Sequence, residues 1–409
     1  MRYRVSVTVL AAGLLASVLA LGADYPQWRG PNRDGKSADT GLLKQWPEGG
    51  PKLLWSVEGI GTGFSTVTVA DGTVYVTGLV GENGVLSAYD LDGKLKWKKE
   101  YGPDWAPPQR SLHPGVRTSA TVDDGLVYVH SGMGELVCLD AKSGEKKWSL
   151  NTFQKFGGRN IQWGLSESIL IDGSNLIGTP GGPNASVVAL NKKTGETIWT
   201  SKGTSSRSGY CSPIAVDHGG RRLILTVLFD AIVGLDAKTG ATLWRRAYKN
   251  QYSVHANTPI YRDGIVYVTS GYRLGGVALK LSADGSGITE LWTDKKLPVH
   301  HGGVIEVDGY IYGANERSWV CLELATGQVK HESPIVGKGS VTYADGLFYC
   351  YGERGTLALV KGTPKAFETL GSFRITQGNG EHWAHPVVAA GKLFVRHGDV
   401  LMAFDVKAK

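Results

Sequence analysis

The sequence predicts an all-β fold, an eight-bladed β-propeller of four-stranded antiparallel blades. Three observations lead to this prediction: a short phrase recurs along the chain, a hairpin marker recurs eight times, and the first strand has no unit of its own. Repeats that recur at a nearly constant spacing along a chain are typical of propellers, in which each repeat supplies one blade. The 57 glycines among 409 residues, about twice the usual share, fit the many turns of such a fold.

The recurring phrase consists of an Asp or Asn, a turn that ends in glycine, and a tryptophan. Clear copies read DAKSGEKKW, NKKTGETIW and DAKTGATLW, at residues 140–148, 191–199 and 236–244, and weaker copies lie at 90–97 and 323–331. The Asp or Asn side chain can accept hydrogen bonds from turn amides, and glycine adopts a positive φ without strain. We expect the tryptophan to wedge between neighbouring blades, where its large ring is buried.

Each phrase lies at the end of a four-stranded unit. In residues 118–150, apolar and polar residues alternate in four short runs, which is the two-residue period of half-buried strands. The Asp124-Gly125 pair between the first two runs favours a tight hairpin. Equivalent markers occur in eight units and predict eight blades. The markers begin at Asp71, Asp124, Asp172, Asp217, Asp263, Asp308, Asp345 and Ala390.

The eighth unit, which begins at His385, ends without a fourth strand. Residues 52–58, KLLWSVE, form a strand without a unit, and Trp55 stands where the repeats have tryptophan. We therefore predict that this N-terminal strand pairs beside residues 399–406. Such pairing completes the last blade, closes the ring and removes an exposed edge.

We expect three parts: a signal peptide at 1–23, a capping segment at 24–51 and the propeller at 52–409. Two arginines, an apolar run and small residues indicate that the signal peptide is cleaved, although an uncleaved anchor is an alternative. The run is not followed by a cysteine for lipid attachment. The prediction is a periplasmic or secreted protein without a transmembrane domain in its mature chain.

Composition narrows the function further. The net charge of +7 is modest, and neither a basic block nor a nucleic-acid motif occurs, so we expect no nucleic-acid partner. The four cysteines are scattered, and Cys138 and Cys321 stand at matching places in two repeats. Matching places indicate packing, so buried free thiols are expected. Without a CxxCH motif, covalently attached haem is excluded.

The pattern G-x-L-x-x-L-D-x-x-T-G-x-x-x-W resembles the repeat of the pyrroloquinoline quinone (PQQ) family over residues 52–407. That family includes quinoprotein alcohol and glucose dehydrogenases, and also BamB-type outer-membrane assembly factors that bind no quinone. The resemblance therefore implies the propeller and leaves open a cofactor, PQQ with calcium. Two departures separate the chain from both branches. It lacks the adjacent cysteine pair and matched calcium ligands of the dehydrogenases, and it lacks the lipid-bearing cysteine of BamB.

Candidate ligand-binding residues lie in the loops that enter the first strand of each unit. Six of the ten histidines are in these loops, and several polar or aromatic residues lie seven or eight positions before a hairpin marker. If the blades superpose, these side chains surround one mouth of the central channel as a basic funnel edged with aromatic rings. The predicted cofactor-binding residues are Arg117, Arg159, His255, His300, His301, His382 and Trp383.

Several interpretations of this funnel stay open. Arginine and tryptophan could hold a planar polyanion such as PQQ; His255, His300 and His382 could hold a metal. The residues could instead line water, or bind a peptide or carbohydrate. Glu167 and Glu381 are candidates for general acid or base and are more often ion-pair partners. We predict no metal site, and the sequence assigns no catalytic residue.

The function predicted from the sequence is an exported, non-catalytic binding or assembly scaffold with a ligand at the channel mouth. The ligand would be a small molecule or a protein, and association with the cell envelope agrees with export. The alternative is a quinoprotein dehydrogenase that oxidises an alcohol or a sugar. The absent cysteine pair and the unmatched calcium ligands favour the scaffold.

Overall fold

The computed structural model describes residues 23–408, which form eight blades of four antiparallel strands arranged as a propeller, with one short parallel strand added to the sheet of blade 7. This confirms the predicted fold class. The predicted signal peptide lies outside the described residues except for Ala23. Among residues 23–408, the structure contains no helix with the length and apolar character needed to cross a bilayer.

The blades are numbered along the chain, and the first strands of most neighbouring blades contact one another around the central channel. Blade 1 contains Thr68–Ala70, Thr73–Val80, Asn83–Asp90 and Leu95–Pro103. Blade 2 contains Thr121–Asp123, Leu126–His130, Glu135–Asp140 and Lys146–Asn151. Blade 3 contains Leu170–Asp172, Asn175–Gly178, Val188–Asn191 and Thr197–Thr200. Blade 4 contains Ile214–His218, Arg221–Val227, Ala231–Asp236 and Thr242–Ala247.

The second half of the ring repeats this order. Blade 5 contains Ile260–Arg262, Ile265–Ser270, Gly275–Leu281 and Ile288–Asp294. Blade 6 contains Val304–Val307, Tyr310–Ala314, Trp319–Glu323 and Val329–Ser333, and blade 7 contains Gly339–Ala344, Leu347–Gly352, Thr356–Gly362 and Phe367–Arg374. Blade 8 contains Val387–Ala389, Lys392–His397, Val400–Asp405 and the N-terminal strand Leu53–Val57. A short helix, Thr152–Phe156, and a 3₁₀ turn, Arg110–Leu112, lie in loops.

The ring closes where the sequence predicts. Strand Leu53–Val57 pairs antiparallel with Val400–Asp405, with Trp55 opposite Ala403. Arg396 reinforces the junction between blades 8 and 1, because its buried guanidinium donates to the carbonyl oxygens of Gly61 and Thr77, both at 2.6 Å. Both ends of the propeller are therefore held in one sheet.

The hydrophobic core lies between the blades. Eight clusters of buried side chains each join two neighbouring blades, and the cluster that contains Tyr75, Trp97 and Val127 joins blades 1 and 2. A ninth cluster, around Tyr210 and Val254, lies among the loops at one end of the channel. All four cysteines are buried and free, as predicted. Because no blade buries both faces alone, the described residues fold as one ring.

The N-terminal segment, residues 25–50, crosses the end of the channel where the inner hairpins lie. Tyr25 pairs with Val69 of blade 1, and strand Lys36–Ser37 adds in parallel to the first strand of blade 7. Two hairpin markers bind it, since Leu42 N donates to Asp345 Oδ2 at 2.9 Å and Gly391 N donates to an Asp39 carboxylate oxygen at 2.7 Å. This segment closes one end of the channel.

Candidate functional site

A cavity of about 230 Å³ occupies the opposite end of the channel, and we call it the mouth cavity. Aromatic rings, imidazoles and serine hydroxyls make up most of its wall, together with one arginine. The lining residues are Trp28, Phe64, Ser111, His113, Arg117, Trp163, Ser166, Ser168, Tyr210, Ser212, Val254, Ala256, Tyr272, His300, His301, Trp383 and His385.

Six lining residues share one register position, seven residues before the hairpin marker of their blade. In an extended chain, successive side chains point to opposite sides, so a common register directs these side chains to the axis. Because six blades have a lining residue at this same position, these side chains together form one wall of the cavity. These residues are Phe64, Arg117, Tyr210, Ala256, His301 and Trp383.

Four of the seven predicted binding residues, Arg117, His300, His301 and Trp383, line the mouth cavity. The other three lie outside it. Arg159 is exposed on a loop, and fully buried His255 lies with Nδ1 3.1 Å from Ser270 Oγ. His382 stacks on His397 with ring centroids 3.7 Å apart.

The predicted grouping of the three histidines that lie eight residues before a marker is therefore not found. His255 and His382 face away from the cavity, one position out of register with its wall, while His300 lines it. In the described part of the chain, no three His, Cys, Asp or Glu side chains are grouped so that they could hold a metal ion. The geometry gives the metal interpretation no support.

Trp28 forms the floor of the mouth cavity and was not predicted to do so. It projects from the N-terminal segment, its Nε1 donates to Thr258 Oγ1 at 3.0 Å, and its ring lies 4.7 Å from that of His385. The seven-residue register would have identified Phe64 and Ala256. Trp28 has no such marker, because its position depends on contacts far along the chain.

Two buried arginines hold this floor in place. Arg33 donates to the carbonyl oxygens of Ser168 and Ile169 at 2.7 and 2.9 Å, and Arg29 donates to Val304 O on another blade. Neither guanidinium has a carboxylate partner within residues 23–408. Burial lowers the pKa of Arg33 to about 9. The carbonyl oxygens thus compensate these charges and fix the segment across the channel.

A belt of serine hydroxyls joins the inner strands of blades 1 to 4. Ser119 N donates to Ser168 Oγ and Ser168 N donates to Ser212 Oγ, both at 2.9 Å, and Thr66 N donates to Ser119 Oγ at 3.0 Å. Each hydroxyl accepts one amide bond and keeps its own O–H as a donor. Ser168 and Ser212 line the cavity, so they can donate these protons to a ligand.

Two of the histidines that line the cavity, His300 and His385, are neutral at ordinary pH. Burial, with the nearby charges of His301 and Lys338, lowers the pKa of His300 to about 2. Burial and the charge of Arg29 lower the pKa of His385 to about 3. A base this weak removes protons poorly near neutral pH. These imidazoles therefore act as hydrogen-bonding groups.

Arg117 is the one lysine or arginine among the described residues that line the cavity. Burial lowers its pKa to about 10, which leaves the guanidinium charged at neutral pH. It donates to the carbonyl oxygens of Leu112, His113 and Gly115 at 2.6–3.3 Å. Much of its hydrogen-bonding capacity is thus used by its own loop.

The two candidate glutamates occupy different surroundings. Glu381 accepts from His113 Nδ1 at 2.9 Å, which links loops from two blades at the edge of the cavity. Glu167 is fully buried behind the wall, bonded to Thr179 and 3.1 Å from His130 Nδ1. Neither carboxylate lines the mouth cavity.

Calcium-bound quinone does not fit this lining. Calcium requires six to eight oxygen ligands, mostly from carboxylates, carbonyls and side-chain amides. The lining residues that the structure describes include no Asp, Glu, Asn or Gln. The lining offers aromatic rings, imidazoles and serine hydroxyls instead.

Eight repeats that close into a ring around a channel define the class as a propeller of PQQ-like repeats. The sequence profile of the family described as outer membrane protein assembly factor BamB matches residues 38–176 and 183–402. The chain belongs to this family, which confirms the resemblance seen in its sequence.

Curated relatives come from two functional groups. The quinoprotein ethanol dehydrogenase of Pseudomonas aeruginosa is 29% identical over 146 residues, which cover 33% of this chain and 23% of the relative. The outer membrane protein assembly factor BamB of Shewanella oneidensis is 25% identical over 260 residues, or 61% of each chain. The matches thus span less than two thirds of these relatives.

Solved structures agree on the fold. The quinohemoprotein alcohol dehydrogenase of Comamonas testosteroni has a TM-score of 0.67 at 15% identity, with 95% of this chain and 81% of that chain covered. At this level of identity the similarity concerns the fold alone. The function must be argued from the site.

Proposed function

We propose that this protein is an exported, non-catalytic binding scaffold whose ligand occupies the mouth cavity. The observation that carries the proposal is the aromatic-lined cavity that Trp28 closes at its floor. Its wall offers rings and hydrogen-bonding groups, and two of its histidines, His300 and His385, are too weakly basic to serve as general bases near neutral pH. Arg117, His300, His301 and Trp383 are the proposed ligand-binding residues from the predicted set.

Family membership supports the scaffold. The BamB relatives are named as outer-membrane assembly factors, and a binding role in the cell envelope agrees with the predicted signal peptide. The proposed location is the periplasm or the cell exterior. A protein of the envelope could dock on the propeller while a smaller ligand fills the mouth cavity.

The second candidate is a quinoprotein dehydrogenase that acts on an alcohol or a sugar. The similarity to quinoprotein ethanol dehydrogenase favours it, as do Trp383 and Arg117, which are residue types suited to a planar anion. The lack of calcium-type ligands in the lining weighs against it.

A turnover assay separates the two candidates. Purified protein is incubated with PQQ and Ca²⁺, and dye reduction is followed with ethanol and with glucose, beside an active quinoprotein ethanol dehydrogenase as control. We expect no dye reduction above that of free PQQ. Sustained turnover that disappears in Arg117→Ala would overturn the scaffold and establish the dehydrogenase.

A further inference from the structure

We propose that the mouth cavity binds the end of a neutral saccharide chain, with one sugar ring inside and the next ring against Tyr252. This inference rests on the proposed function, since it names the ligand class of the same site. Four properties carry it: the aromatic rings, the kind of hydrogen-bonding groups, the charge and the closed floor.

The aromatic rings form a continuous path from the edge into the cavity. Tyr252 contacts Trp163 and Tyr272, with ring centroids 6.0 and 4.7 Å apart. The path continues to His300, 4.8 Å from Tyr272, and from His301 to Trp383 at 5.1 Å. A sugar ring has one or two faces of C–H groups, which pack on such flat, electron-rich surfaces. Tyr252 at the edge and the aromatic rings inside the cavity thus provide two successive surfaces, which fit two successive sugar rings.

The polar groups of the wall can both donate and accept hydrogen bonds. Ser168 and Ser212 keep their O–H donors, as their oxygens accept amide bonds. His385 lies with Nε2 2.9 Å from the carbonyl oxygen of His301, so Nε2 carries the proton and Nδ1 is left as an acceptor. Sugar hydroxyls also donate and accept. A carboxylate or phosphate would instead need donors alone.

The charge of the wall favours a neutral ligand. Arg117 repels a cation, and its bonds to three loop carbonyls limit what it can offer an anion. No second lysine or arginine lines the cavity among the described residues. Uncharged hydroxyl groups therefore match this wall better than either kind of ion.

Because the cavity is closed at its floor, only the end of a saccharide chain can enter it. Trp28 and the N-terminal segment block passage through the channel, so a polymer cannot thread it. Tyr252 is 43% exposed at the edge, where a second sugar ring would leave the cavity. The site therefore takes one terminal ring in the cavity and a second ring outside.

Saturation-transfer NMR and calorimetry on the mature protein test this inference. The probes are maltotriose, cellotriose and chitotriose, their monosaccharides, and glucuronic acid as a charged comparison. We expect at least one neutral trisaccharide to bind with millimolar affinity or better, about tenfold more tightly than its monosaccharide. Trp383→Ala should weaken its binding about tenfold. Exposed Ile198 supplies the control, and I198S should leave binding unchanged.

Tyr252 gives the sharper comparison, because an exposed side chain is replaced with little risk to folding. Tyr252→Ala should reduce trisaccharide affinity to that of the monosaccharide and leave the monosaccharide unaffected, whereas Tyr252→Phe should retain both. The inference is overturned if no neutral saccharide binds, if glucuronic acid binds better than the neutral sugars, or if both Trp383→Ala and Tyr252→Ala bind like the original protein. Those results leave the scaffold standing, since it is overturned by sustained turnover that depends on Arg117 and not by the absence of saccharide binding.

Discussion

Trp97 of blade 1 donates its indole N–H to the carbonyl oxygen of Ala141 in blade 2 at 3.2 Å, while its ring lies against Gly144. Four other tryptophans repeat the bond to the following blade. They are Trp55 to Leu91, Trp148 to Lys192, Trp199 to Ala237 and Trp292 to Leu324. The recurring phrase is therefore a joint, and its glycine is needed for the contact of the ring as well as for the turn.

This joint predicts a large effect for Gly144→Ala. A Cβ there would lie 2.7 Å from the Trp97 ring, and the φ of +71° adds strain. We expect a loss of about 2–4 kcal/mol in the free energy of unfolding, measured with urea. Gly125 is the matched control, with φ +73° and no atom within 4 Å of the added carbon. Equal losses in Gly125→Ala and Gly144→Ala would show that the ring contact contributes nothing.

The closure at Arg396 predicts a second stability effect. Arg396→Met leaves the carbonyl oxygens of Gly61 and Thr77 without this buried donor. We expect a loss of about 3 kcal/mol or more, since hydrogen bonds to a charged group are strong and the acceptors stay buried. Exposed Arg374 provides the comparison, and its change to Met should alter stability by less than about 0.5 kcal/mol. If Arg396→Met leaves the free energy of unfolding unchanged, this account of the junction is contradicted.

The buried histidines predict destabilisation by acid. The folded protein holds the pKa of His385 at about 3, below the unfolded value of 6.5, because burial disfavours the charged ring. Between these values the unfolded chain binds more protons, so stability falls as pH falls from about 6.5. Near pH 5 the loss should be about 2 kcal/mol from this one histidine.

Urea unfolding at several pH values measures the effect. His385→Gln cannot take up the proton, so its stability should fall less steeply with acid than that of the original protein. His300 and His255, whose pKa values lie at about 2 and 4, steepen the dependence in the same direction. Parallel profiles for His385→Gln and the original protein would exclude a neutral buried His385.

The thiols predict low reactivity in the folded protein. Burial raises the pKa of Cys138 to about 12 and that of Cys211 to about 11, so these thiols stay protonated at neutral pH. Burial also keeps reagents in solution from reaching them. We expect a thiol reagent such as DTNB to label none of the four cysteines in buffer and all four in urea. Rapid labelling without denaturant would show that a blade opens readily.

Local patterns were sufficient to predict the propeller. The hairpin markers and Trp55 indicate turns and strands, whose geometry depends on residues close in sequence. The closure of blade 8 could therefore be predicted from them. The site could not be predicted from register alone. His255 and His300 both lie eight residues before their markers, yet His255 is buried outside the cavity and His300 lines it.

The sequence predicted a capping segment at 24–51, but the path of this segment could not be derived in advance. Its path depends on Arg29 and Arg33, which adopt positive φ values of 63° and 58° and bind carbonyl oxygens more than a hundred residues away. No periodic pattern records such contacts. Trp28, as part of this segment, was missed as the floor for the same reason.

The pairing of Leu53–Val57 with Val400–Asp405 also constrains how the molecule folds. One of these strands is synthesised before seven complete blades and the other after them, so their contact has a very high sequence separation. Such contacts form late and slow the folding of β proteins. In the nascent chain, strand Leu53–Val57 therefore stays unpaired until translation is almost finished. An unpaired strand edge is prone to aggregation, so we expect chaperones to matter most during that interval.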